Sequence, residues 1–193
     1  MTQAYGGSTL KSILILGGAR SGKSRLAVEM ARQRGGDVFF VATAEARDAE
    51  MKRRIKAHRE ARPSSWKTME ATTHLGAQIA RNIGNARTVI VDCVTLLVNN
   101  IFEQYDETTD ASKLEKAVEA EIKELLDCIA HSEALFIIVS NEVGLGIIPA
   151  DNVSRLYRDL LGRANQALAA RADEVYLLVA GIPIAIKKPL ENH

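Results

Sequence analysis

Apolar residues fall along this chain in two alternating rhythms. Short unbroken runs recur: S-I-L-I-L at 12–16, V-F-F-V-A at 38–42, T-V-I-V-D at 88–92 and L-F-I-I-V-S at 135–140. Runs of that length bounded by glycine or polar residues are expected of strands buried on both faces. Between them the period changes. Leu114, Val118, Ile122, Leu125 and Ile129 recur every three or four residues, the clearest amphipathic helix in the chain. Val153, Tyr157, Leu160, Ala164 and Leu168 form a second stripe after Pro149, with Asp151 placed to cap it. Leu26, Ala27, Met30 and Ala31 mark a helix over 22–34 that Gly35-Gly36 stops. Met51, Ile55 and His58 share a face of a charged helix over 48–62, ended by Pro63. Leu75, Ile79 and Ile83 mark another helix, and 66–69 reads as a short strand. The apolar run before residue 103 reads as strand-like, with a polar insertion at 103–110 after it. Segments 174–180 and 184–187 read as strands around Gly181-Ile182-Pro183, too closely joined to be anything but antiparallel.

Strand and helix therefore alternate, which predicts an α/β fold with a mostly parallel sheet, mixed at one edge. The 193 residues suit a single domain, assigned to 12–188, with residues 1–11 as a disordered extension. Hydrophobic residues make up 47% with 27 alanines, and aromatics only 5%, so the core is aliphatic and helices pack closely. With 25 Lys+Arg against 24 Asp+Glu, the net charge of +1 exerts no global pull toward nucleic acid. Apolar runs stop far short of the ~20 residues that span a bilayer. The first residues lack a signal-peptide pattern. Cys93 and Cys128 sit in no C-x-x-C, which fits packing roles in a reduced, cytoplasmic setting.

Chemistry enters at Gly17-Gly18-Ala19-Arg20-Ser21-Gly22-Lys23-Ser24, which matches G-x-x-x-x-G-K-[ST] between a strand and a helix. Glycines let such a loop curl its N–H groups around phosphate oxygens, and the helix N-terminus adds its positive dipole. Lys23 is placed to reach the β- and γ-phosphates, and the Ser24 hydroxyl to ligate Mg²⁺. Asp92 ends the 88–92 strand and is the second metal-facing carboxylate expected beside a P-loop. Asn141-Glu142 also follows a strand, at the end where open α/β sheets bind ligands. No N-K-x-D is present, so guanine would have to be read in another way.

The charged helix carries Lys52, Arg53, Arg54, Lys56, Arg59 and Arg62. A basic run is ordinarily a solvated face. His58, however, lies on the Met51/Ile55 side. It reads either as a half-buried structural histidine or as a neutral imidazole able to attack phosphorus beside phosphate-binding arginines. His74, His131 and His193 sit in helix-start, loop and tail contexts without such neighbours.

Several motifs together resemble one family. They are G-G-A-R-S-G-K-S at 17–24, A-T-A-E at 42–45, R-I-K-A-H-R-E-A-R-P at 54–63, N-E-V-G-L-G-I-I-P at 141–149 and G-R-A-N-Q-A-L-A-A-R-A-D-E-V at 162–175. In order, over about 12–188, they look like the bifunctional adenosylcobinamide kinase/adenosylcobinamide-phosphate guanylyltransferases. The resemblance implies a RecA-like P-loop fold and a homotrimer. It implies phosphorylation of adenosylcobinamide by ATP or GTP, then GMP transfer from GTP through a guanylylated His58. Nucleotide contacts carry over to Gly17, Gly18, Ala19, Arg20, Ser21, Gly22, Lys23 and Ser24, to Thr43, Ala44 and Glu45, to Arg59, Glu60, Ala61 and Arg62, and to Glu70 and Asp92. Asp92 stands where relatives can hold glutamate. Two other readings stay open: a small-molecule P-loop kinase with a structural His58, and a RecA-like ATP-binding regulatory module. The corrinoid pocket has only Phe102, Tyr105 and the 103–110 insertion as candidates.

Overall fold

The computed structural model describes residues 10–45, 52–53, 56, 59–60, 62–106 and 110–188. Seven strands form one sheet: β1 (Ser12–Gly17), β2 (Val38–Ala42), β3 (Lys67–Glu70), β4 (Thr88–Asp92), β5 (Leu135–Val139), β6 (Glu174–Val179) and β7 (Ile182–Lys187). Their order is β3-β2-β4-β5-β1-β6-β7. All neighbours run parallel except β7, which pairs antiparallel with β6. The fold is thus α/β with an antiparallel edge, as the strand spacing predicts. Among the described residues, the helices with defined bounds are α1 (Lys23–Arg34), α2 (Leu75–Asn82), α3 (Val94–Phe102), α4 (Ala111–His131) and α5 (Asn152–Arg171).

The unbroken apolar runs have a physical cause, because the central sheet is covered on both faces. Leu14, Phe39, Val41, Val89, Val91, Phe136 and Ile138 point into a core shared with α2, α3, α4 and α5. Their neighbours Ile13, Ile15, Phe40, Ile90 and Ile137 point the other way, onto Ala27 and Ala31 of α1. Those two alanines are fully buried, so the side chain removed is what lets the helix lie against the sheet.

Three sequence expectations need correction. Val94–Phe102 is a helix rather than a strand-like run. Its buried Val94, Thr95, Leu97, Val98, Asn100 and Ile101 follow a helical spacing, but a short apolar run does not distinguish a strand from a buried helix. The edge hairpin turns at Ala180-Gly181, not at Gly181-Ile182-Pro183. Both turn residues have positive φ, 52° and 82°, as a two-residue hairpin loop demands. Pro183 then sits within β7, an edge strand, where a missing N–H is tolerated. Leu10 and Lys11, assigned to the extension, are held: Leu10 packs on the α1-side core, and Lys11 N donates to Asp173 Oδ2 at 2.8 Å. Cys93 and Cys128 are free and half-buried, and they pack on the α1-side core and the larger core, in keeping with the packing roles expected. Among the described residues, no helix is long and apolar enough to cross a membrane.

Candidate active site

The carboxyl edge of the sheet gathers the chemistry. The P-loop leaves β1 at Gly17 and enters α1 at Lys23. Gly17 has φ 151°, and a Cβ there would meet Leu178 O at 2.6 Å, so only glycine lets the loop turn against β6. Gly18, Ala19 and Arg20 are exposed at the crest. Lys23 is only 7% exposed, and its Nζ donates to Gly18 O at 2.7 Å. Burial lowers the Lys23 pKa below its usual value, while Cys93 and Asp92 act in the opposite sense. Ser24 follows, half-buried in the first turn of α1.

Register sets the other residues in line. Ala42 lies opposite both Asp92 and Glu70, and Asp92 opposite Val139. Strand β5 separates the P-loop strand from the Asp92 strand. Asn141 and Glu142 therefore emerge between them, with Glu142 N donating to Gly17 O at 3.1 Å. The chain beyond β3's partner strand brings cations to the same edge. Arg62 stacks on the Phe40 ring, its guanidinium carbon 3.4 Å from the centroid. Desolvation lowers its pKa, and Asp92 opposes that most strongly. Arg59 is ion-paired with Glu70. Glu60 is exposed and lies 3.9 Å from Lys56. Lys52, Arg53, Lys56, Arg59 and Glu60 are helical, in keeping with the helix expected at 48–62. His58 and Ala61, with Met51 and Ile55, lie outside the described residues.

Thr43 is fully buried. Its hydroxyl donates to Cys93 O and accepts from Cys93 N, both at 2.7 Å. Its side chain therefore fixes the turn after β2 against the end of β4, while half-buried Ala44 and exposed Glu45 continue toward solvent. Asn100 Nδ2 donates to Thr43 O at 2.9 Å. Desolvation pushes the Cys93 thiol up to about 11, with Asp92 adding to the shift, so the thiol stays neutral beside Lys23.

Two of the remaining histidines are occupied elsewhere. His74 holds the N-cap position of α2 without capping it through its side chain, and its ring lies 3.5 Å from the Glu124 carboxylate. His131 Nδ1 lies 2.7 Å from Asp127 O. His193 lies outside the described residues. Phe102 and Tyr105, candidates for the corrinoid pocket, pack on the larger core, and Phe102 meets Tyr157 edge-on at 5.4 Å.

Sequence reasoning missed the supports of the edge: Asn100, Thr95 and Asn165. Thr95 Oγ1 accepts from Asn141 N at 2.7 Å, and Asn165 Nδ2 donates to Asn141 O at 3.0 Å. A signal was present, since Asn100 and Asn165 are polar residues placed on otherwise apolar helix faces.

Comparison with known proteins meets this geometry. Residues 13–186 match the family model described as Cobinamide kinase / cobinamide phosphate guanyltransferase. The bifunctional adenosylcobalamin biosynthesis protein CobU of Escherichia coli (strain K12) is 41% identical over 180 residues, 91% of this chain and 99% of that protein. CobP of Pseudomonas aeruginosa, also named a bifunctional adenosylcobalamin biosynthesis protein, is 42% identical over 174 residues, covering 90% and 96%. With a P-loop at the carboxyl edge and similarity running nearly end to end, this chain belongs to the cobinamide kinase / cobinamide phosphate guanyltransferase family.

Proposed function

We propose that this chain runs two transfers at one edge of its sheet. In the first, the aminopropanol hydroxyl of adenosylcobinamide attacks the γ-phosphorus of ATP or GTP. A new O–P bond forms, the bridging P–O bond to the β-phosphate breaks, and a nucleoside diphosphate leaves. In the second, a ring nitrogen of His58 attacks the α-phosphorus of GTP and pyrophosphate leaves. The phosphate oxygen of adenosylcobinamide phosphate then displaces His58, giving adenosylcobinamide-GDP. Two in-line displacements at the α-phosphorus give net retention.

The observation that carries this reading is the line of charge along the edge. Buried Lys23 stands at one end and the Arg59–Glu70 pair at the other, with half-buried Asp92 between them, acting on both Lys23 and Arg62. The P-loop binds the triphosphate through its N–H groups, Lys23 and the dipole of α1. Arg59 and Arg62 bring cations from the His58 segment to the same place, where α-phosphate charge develops. We place Gly18 to Ser21, Ala44 and Glu45 along the path between, with Thr43 buried behind them to hold the turn, and Glu60 and Ala61 on the segment that carries His58. A magnesium ion fits the oxygen donors at hand. The Ser24 hydroxyl and the Asp92 carboxylate would hold it, phosphate and water completing the set, and it would neutralise phosphate charge. The protein works in the cytoplasm on small molecules, as a homo-oligomer that the resemblance makes a trimer.

A two-stage assay tests the reading. Cobinamide and ATP should yield cobinamide phosphate, and later addition of GTP should yield the GDP derivative with pyrophosphate. A reaction that halts at the phosphate would reduce the protein to a kinase.

A further inference from the structure

We propose that the loop at 143–149 is the apolar platform on which the corrin body of the acceptor rests while its hydroxyl or phosphate reaches the nucleotide. This rests on the reading above, in which cobinamide is the acceptor. Leu145 is 85% exposed, Ile147 97% and Ile148 68%. Three large apolar side chains so exposed within four positions form a patch of the kind that marks a binding surface.

The loop is held in place. At its near end, Glu142 N donates to Gly17 O, and Asn141 is gripped by Thr95 and Asn165. Within it, Gly144 N donates to the Glu142 carboxylate. At its far end, Arg155 Nη1 donates to Pro149 O and Ala150 O, both at 2.7 Å, and Asp151 caps α5 through Ser154 N. The exposed side chains thus stand on a backbone fixed at both ends, so little ordering is lost when they are covered.

Position selects the occupant. The loop leaves β5, the central strand, beside the first glycine of the P-loop. An acceptor hydroxyl must sit in line with the γ-phosphate at that edge, and a macrocycle many times larger than the hydroxyl must lie on whatever flanks it. Corrin edges carry methyl groups and amide-bearing arms, a chemistry that apolar side chains with polar neighbours can cover. Phe102 and Tyr105 are committed to the core. A second copy of the chain is the less suitable occupant. It would cover the catalytic edge, and β7 offers a separate apolar row at the end of the sheet, with Ile182, Ile184 and Ile186 at 67%, 52% and 60% exposure.

The test is a triple substitution, Leu145→Ser, Ile147→Ser and Ile148→Ser, in the full chain. Cobinamide KM in the kinase step should rise roughly tenfold or more, as lost burial of three apolar groups implies. ATP KM, covalent labelling by GTP in the absence of acceptor, and sedimentation behaviour should stay as in the wild type. Wild-type turnover with an unchanged cobinamide KM in the variant would overturn the platform. So would a shift in oligomeric state accompanying the KM change, because the loop would then be an interface. A wild-type protein with no cobinamide turnover would sink the functional reading itself, and the platform with it.

Discussion

Lys23 shows how a single residue is prepared for anion binding. Its ammonium is buried against its own loop, with desolvation lowering its pKa and Cys93 and Asp92 countering. Bound triphosphate favours the charged form. Nucleotide affinity should therefore be full below the lowered Lys23 pKa and weaken as pH rises through it, before the ordinary lysine range is reached. Lys23→Ala should bind nucleotide more weakly throughout by about 1.5–3 kcal/mol, the worth of a hydrogen bond to a charged group. It should also lose that alkaline limb. Equilibrium titrations of nucleotide Kd against pH check this, and an identical limb in Lys23→Ala would count against it. The P-loop residues were legible in the sequence because their spacing encodes a backbone shape. Thr43 was legible only as a position in A-T-A-E, whereas its buried hydroxyl is committed to the Cys93 backbone. Which atoms a side chain meets across the sheet depends on register, which local sequence does not state.

Among the elements, α2 depends most on its neighbours. Its N-cap is His74 at φ 53°, with no side-chain cap of its own. The free N–H groups are taken by α4 instead: Glu121 accepts from His74 N and Leu75 N at 2.7 and 2.8 Å, and Glu124 from Ala77 N at 2.7 Å. Glu121 is only 6% exposed, yet this buried carboxylate is satisfied by the helix N-terminus it faces. Glu121→Ala leaves the buried Leu75 N–H and the part-buried His74 N–H unpaired and should destabilise the protein by roughly 1–3 kcal/mol, with Glu121→Gln milder. Urea unfolding reads the difference, and an unchanged midpoint for Glu121→Ala would remove the capping role. The helices α4 and α5 were plain in the sequence because long stripes set their period unambiguously. Helix α3 was not, because nine mostly apolar residues carry too few polar positions to show a period. Asn100, a buried polar residue of that helix like Thr95, ties it to the loops after β2 and β3 through Thr43 O and Thr72 O.

For the molecule as a whole, a net charge of +1 hides an uneven distribution. Arg59 and Arg62 reach the edge that already holds Lys23, which suits a triphosphate better than a polymer. Strand β7 closes the sheet with an exposed apolar row, and a free edge of this kind invites pairing. Ile184→Lys on that strand should shift the protein toward monomer in sedimentation equilibrium, whereas an unaltered assembly would place the interface elsewhere. In the proposed scheme both transfers share the edge that holds the 17–24 loop, and the histidine segment supplies what the kinase step does not use. The direct measurement is covalent labelling with GTP labelled at the α-phosphate, followed by denaturation. The wild-type protein should carry an acid-labile, base-stable label. His58→Ala should carry none while still phosphorylating cobinamide. Equal labelling of His58→Ala, or a wild-type protein that phosphorylates cobinamide yet takes up no label, would contradict the guanylyl-histidine route.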